Sequence, residues 1–351
     1  VSREYPDAID EVTARLIDAV NFDPSEARSA IVDVRRGRDW ATAALNSPVG
    51  QIALAILQDS RLEQVEGDVD PSANWLAKLE RLLNLTGDPR RHAVAIISHN
   101  LGWLHRVVRE WTERHLLSIL DGGDIDDQAA LWAGFFWNPR VSSVDLYLRL
   151  KPALLALAKQ RDSSREAYLQ SLAYLILLGW AATFTMTGAP AVSNDELRDV
   201  LLLGGEEFRS HVIWQFQREL ANDQLVARAQ ELFSHVWPRQ RSVKTPTMSI
   251  GLVELLVSNV EAFPGLAELV LPLLTKIDQP HGHYFADKVK VDAIIDKYSD
   301  PFLGVLHAVL PDKVINWPYG IGDLLEKIGD ANSDLLADPR LQELKRKWSA
   351  R

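Results

Sequence analysis

The chain has 351 residues, 47% apolar and 25% charged, a balance that excludes both wholesale disorder and a multi-span membrane protein. Its 48 acidic and 38 basic side chains give a formal charge of −10, which disfavours nucleic acid and anionic lipid as partners unless basic groups cluster locally. Cysteine is absent, excluding disulfides, thiolate metal ligands and a cysteine nucleophile and suiting a reducing, cytoplasmic setting.

The opening residues, Val1 to Tyr5, carry charge and run straight into an amphipathic pattern, unlike a secretory leader. A valine where an initiator methionine would stand is expected from a valine start codon or, the preferred reading, from a piece of a longer polypeptide. Helix starts are expected where a side-chain acceptor precedes proline, because the acceptor caps free amides and proline presets the first helical dihedral. Such pairs are Asp23 with Pro24, Ser47 with Pro48, Asp70 with Pro71, Asp88 with Pro89, Asp300 with Pro301 and Asp338 with Pro339. Trp75, Leu79, Leu82 and Leu83 then recur at i, i+4, i+7 and i+8, which predicts a helix with one apolar stripe.

Further along, His99, His105 and His115 surround Trp103 and Trp111 in a helical region, where partial burial with a hydrogen bond is the expected role. Asp121 to Asp127 is as acidic as a calcium loop but lacks the ligand alternation and closing glutamate of an EF-hand, so helix capping is expected there. No charge occurs between Glu166 and Asp195. The strongly apolar centre, Leu172 to Ala182, is too short to span a bilayer and predicts a buried helix, so no membrane is expected as a partner. Ser193 and Glu196 form a capping box, and Gly204 with Gly205 reads as the turn ending that helix. The i, i+4, i+7, i+8 stripe returns at Leu225, Ala229, Leu232 and Phe233, and again at Met248, Leu252, Leu255 and Leu256.

Strand-like alternation bounded by hairpin turns is missing. The expected fold is all-α: about sixteen short antiparallel helices in an irregular α-solenoid or helical-repeat-like array. A boundary is expected at Asp121 to Asp124, separating an N-terminal helical region (1–120) from a C-terminal one (121–351), unless the array is continuous.

Motifs that deliver groups to one reacting point, such as HExxH, the phosphate-binding loop, GxSxG and GxGxxG, do not occur, and no catalytic residue or cofactor is assigned. The best metal candidates are His281, His283 and Asp287, two imidazoles and a carboxylate able to converge on one ion. The basic spots are Arg35, Arg36 and Arg38, and Arg239, Arg241 and Lys244 after Trp237. Eleven tryptophans stand out. Most should fill gaps between helices, and any left exposed would be contact anchors. The candidate binding residues are accordingly Trp137, Asn138 and Arg140, and Trp237, Arg239 and Arg241.

Asn46 to Gly50, His92 to Trp103 with Trp111 to Leu117, Leu131 to Arg140, Trp237 to Arg239, and the tail from Trp317 to Arg340 together resemble a bacterial helical domain family of unknown function. That family forms the C-terminal region of large sirtuin-like proteins associated with phage defence. The resemblance implies a non-catalytic sensor or assembly region joined to an NAD-consuming domain. This chain has no glycine-rich nucleotide loop and no strand-rich sheet, and His281 with Gly282 matches the sirtuin His-Gly pair only trivially, so no catalytic residue carries over. The function expected is recognition of a protein partner, an effector domain or a phage component, and a homo-oligomer fits the same surface. The competing expectations are a stand-alone enzyme with an inter-helix site, at His281, His283 and Asp287 or at the histidines near Trp103, and a nucleic-acid sensor centred on Arg239 and Arg241.

Overall fold

A computed structural model describes residues 6–22, 39–59, 73–122, 124–161, 167–181, 189–219, 224–278, 285 and 287–350. Among these residues there are eighteen α-helices, several 3₁₀ turns and no strand, so the protein is all-α.

The chain divides into two compact units. The first comprises Val1–Ala156, Asp162–Leu172 and Ala182–Ala191, and the second Leu157–Arg161, Ala173–Ala181 and Val192–Arg351. The expected boundary at Asp121 to Asp124 falls inside the first unit. Gly122, at φ +135°, turns the chain out of the 3₁₀ helix Leu117–Asp121, and Asp124 immediately caps the next helix. Gly122 thus marks a turn within one unit.

The first unit contains α1 (Pro6–Phe22), α2 (Trp40–Leu45), α3 (Pro48–Leu57), α4 (Ala73–Leu83), α5 (Gly87–Ser98), α6 (Leu101–Val107), α7 (Arg109–His115), α8 (Ile125–Trp137) and most of α9 (Val144–Lys159). Its centre is α5, buried without interruption from His92 to Ser98 and packed against α2, α3, α4 and α8. Gly134 on α8 sets the closest approach: a Cβ there would lie 1.9 Å from the Ala95 carbonyl oxygen. The two backbones therefore touch, with no side chain between them. The stripe predicted from Trp75 to Leu83 is buried along α4.

The caps follow the sequence unevenly. Ser47 accepts from the Gly50 amide at 3.0 Å and opens α3 as expected. Asp88 does not cap: α5 begins at Gly87, after Thr86, and Asp88 in its first turn pairs with Arg91 instead. The pairs Asp23 with Pro24 and Asp70 with Pro71 lie outside the described residues.

The uncharged stretch yields α10 (Leu169–Trp180), twelve residues long, or about 18 Å against a hydrocarbon core of about 30 Å. No described helix is long and apolar enough to cross a membrane, and Leu172, Ala173, Ile176 and Trp180 are buried.

The second unit contains α11 (Asn194–Leu203), α12 (Gly205–Glu219), α13 (Gln224–Glu231), α14 (Pro246–Ser258), α15 (Phe263–Val270), α16 (Lys288–Val309), α17 (Ile321–Ala331) and α18 (Pro339–Ser349). The capping box of Ser193 and Glu196 forms in full, and Gly204 ends α11 before Gly205, at φ +85°, starts α12. Two arginines close the end of α11, Arg209 donating to the Leu201 carbonyl at 2.9 Å and Arg161 to that of Leu203 at 3.0 Å. The core gathers Phe208, Phe216, Phe233, Phe263 and Phe302, all fully buried, with α16 packed against α14, α15, α17 and α18. The start expected at Asp300 with Pro301 becomes a kink inside α16. Tyr298 leaves helical dihedrals (φ −140°, ψ 42°) just where the Pro301 ring would collide with a continuous preceding turn.

Candidate recognition surface

Helix α8 ends because Asn138 precedes Pro139, and a residue before proline is driven out of helical dihedrals. The segment beyond is pinned to α6. The Arg140 carbonyl stands over Gly102, where a Cβ would lie 2.4 Å from that oxygen, and the Ser142 hydroxyl donates to the Gly102 carbonyl at 2.7 Å. These contacts fix residues 137–142 and occupy the Ser142 hydroxyl, while the polar side chains of Asn138 and Arg140 stay uncommitted.

Trp137 is 48% exposed, and its indole lies against the His99 imidazole at 5.0 Å between ring centres, tilted by 54°. The same imidazole donates to the Gly134 carbonyl, leaving Nδ1 buried with no partner among the described residues. Burial holds the His99 pKa below its ordinary value; the nearby Arg140 guanidinium lowers it further, and the Gly134 bond opposes both. His99 is therefore a neutral shelf for the indole at physiological pH. Asn138 and Arg140 are exposed, and among the described residues neither their side chains nor the Trp137 indole N–H make a hydrogen bond or ion pair. One exposed indole, one amide and one guanidinium, all with free donors, thus sit on rigidly held backbone. The structure sets three of the residues predicted to bind beside His99, which is half-buried and hydrogen-bonded as expected of the histidines near Trp103.

The second predicted trio differs. Trp237 is 4% exposed, with its ring 5.7 Å from Phe233. The cause is a π turn, Leu232–Val236, at the end of α13, in which the Trp237 amide reaches back to the Leu232 carbonyl at 2.6 Å and the indole swings into the core. Arg239 donates to the Phe233 carbonyl at 2.7 Å and so helps cap that turn. Arg239 and Arg241 are both exposed, without an exposed indole beside them.

Of the metal candidates, His281 and His283 lie outside the described residues. Asp287 caps α16, accepting from the Lys290 amide at 3.2 Å, and pairs with the Lys290 ammonium at 3.5 Å. Among the described residues no three His, Cys, Asp or Glu side chains stand close enough to hold an ion. Arg35, Arg36 and Arg38 also lie outside the described residues.

The histidines near Trp103 join helices. His105 is buried, with Nε2 3.5 Å from Glu113 Oε1, and Glu113 also accepts from Arg149 Nε at 3.0 Å. Burial, and then the Arg109 charge, hold His105 below its ordinary pKa in spite of Glu113. His115 stacks on Trp111 at 5.1 Å, and the Trp111 indole donates to Glu80 at 2.9 Å. The acidic run ending at Asp127 caps α8: Asp124 accepts from the Asp126 amide at 2.7 Å, while Asp124, Asp126 and Asp127 surround Arg91 and Asp127 also binds Arg90 at 2.7 Å. Two guanidinium groups neutralise it.

Among the exposed apolar side chains that the helical periodicities did not mark are Ile315, 82% exposed, and Tyr319, fully exposed, in the connection between α16 and α17. For Ile315 the available signal was an apolar run inside a loop bounded by Pro311 and Pro318. No family model, no curated protein and no solved structure matches this chain.

Proposed function

We propose that this chain is a helical recognition or assembly module that engages a protein partner through the surface around Trp137 and passes that event to an effector domain. The observation that carries the reading is the exposed indole of Trp137, set on His99 and flanked by the free donors of Asn138 and Arg140. Tryptophan and arginine beside one another are the residue types that concentrate binding energy at protein interfaces. A backbone fixed in advance reduces the entropy lost on association. The defence setting, with a sirtuin-like effector and a phage component as the sensed molecule, is supported by the resemblance of the aromatic and prolyl segments alone, and fold by itself assigns no chemistry.

The test places a photo-crosslinking benzoylphenylalanine at position 137 of the full chain in cells, and the same residue at the exposed Glu326 as a control. Discrete crosslinked products are expected from position 137 and not from 326. Identical patterns from the two positions, or consumption of NAD by the purified chain, would overturn the proposal.

A further inference from the structure

The charge around Trp137 departs from that of the chain as a whole. Within a sequence of net charge −10, the two short segments that carry the exposed part of this surface, residues 99–108 and 137–144, contain no aspartate or glutamate, and Asp145, which follows directly, is paired with Arg109 at 2.8 Å. They meet where the Arg140 carbonyl stands over Gly102 and form one neighbourhood. Its formal charges are cationic. Arg140 is exposed beside Trp137, and Arg106, one turn beyond Gly102 and so on the same side of α6, is exposed as well. Several other arginines are engaged by the chain's own carboxylates, Arg90 and Arg91 by Asp127, Arg149 by Glu113 and Asp121, and Arg340 by Asp300 and Asp338. Arg140 has no such partner among the described residues.

Resting on the recognition reading above, we propose that the segment seated on Trp137 is an acidic one, a stretch of a partner protein whose carboxylate pairs with Arg140 while an adjacent apolar side chain covers the indole. Charge complementarity selects this occupant: a guanidinium presents paired donors that match a carboxylate, and like charges across an interface are costly. A second copy docked symmetrically on this surface would bring one cationic patch against another. A single-stranded nucleic acid would also stack on the indole, and the chain's net charge opposes both polyanions at long range, so competition by oligothymidylate separates the two.

Three short fluorescein-labelled peptides test this on the full chain by anisotropy: one phenylalanine among glutamates, the same peptide with glutamines, and the same with lysines. The glutamate peptide is expected to bind roughly tenfold or more tighter than the glutamine peptide, with an advantage that shrinks as salt is added. Arg140→Glu is expected to reverse the preference toward the lysine peptide, an inversion that mere loss of structure would not produce. Equal affinity for the glutamate and glutamine peptides, no binding of the glutamate peptide, or a preference unmoved by Arg140→Glu would overturn the proposal. So would displacement of the peptide by oligothymidylate in a Trp137-dependent manner, or burial of the surface in a self-association that Arg140→Glu leaves intact in sedimentation. If the glutamine peptide binds as well as the glutamate one and still requires Trp137, recognition stands and the acidic partner falls. If Trp137→Ala changes neither peptide binding nor the crosslinks at position 137, both fall.

Discussion

Gly134 and Trp137 lie within one turn of α8 and carry opposite duties. A Cβ at Gly134 would meet the Ala95 carbonyl oxygen at 1.9 Å, and neither backbone can retreat without disturbing the buried run of α5. Gly134→Ala is therefore expected to destabilise the protein by about 1–3 kcal/mol or more, as overpacking does, measurable as a drop in the urea midpoint with an unchanged slope. An unchanged midpoint would mean that the two helices can separate at no cost. Trp137 was legible in the sequence as one of several tryptophans that would anchor a contact if left exposed. Its neighbour His99 was legible as a half-buried, hydrogen-bonded imidazole, but its contact with the indole was not, since it joins two helices and no periodicity reports it. Trp237 looked the same in sequence. Only the π turn that folds it onto Phe233 separates the two, and such a turn depends on packing, not on local residue type.

Among the elements, caps were the most legible feature and helix continuity the least. Ser47, Ser193 and Asp338 cap as the sequence indicates because their hydrogen bonds are local. The kink at Tyr298 and the engagement of Asp88 with Arg91 are set by neighbouring elements, which a linear pattern does not contain. The end of the second unit carries an acid-sensitive joint. Asp338 is held down to about 2, from an ordinary 3.8, first by the Arg340 side-chain bond, and Glu343 to about 2, from 4.5, first by Lys347 and then by His307. Both pKa values are depressed in the folded chain, so their contribution to stability is complete above the unfolded values and disappears as pH falls through about 2. Trp317 and Trp348, stacked at 6.0 Å, report on α18. Their fluorescence is expected to change between about pH 4 and pH 2, with a smaller step in Asp338→Asn. A step of undiminished size in that variant would remove Asp338 from the joint.

For the whole molecule, the all-α class followed from repeated stripes and the lack of strand patterns, because amphipathic helices can bury their apolar faces only against other elements. The division into units was not legible. The turn at Gly122 resembles a boundary locally, whereas units are defined by which distant helices pack together. A similar limit applies to charge: the sum of −10 conceals two carboxylate-free segments that become one surface only when α5, α6 and α8 meet. The most direct measurement is urea unfolding of Trp137→Ala, set beside its crosslink-defined complex. If Trp137 is held out for a partner, the variant should lose less than about 1 kcal/mol, as surface changes do, and should lose the complex. A loss of about 2 kcal/mol or more with the complex intact would show that the indole serves the fold and not recognition.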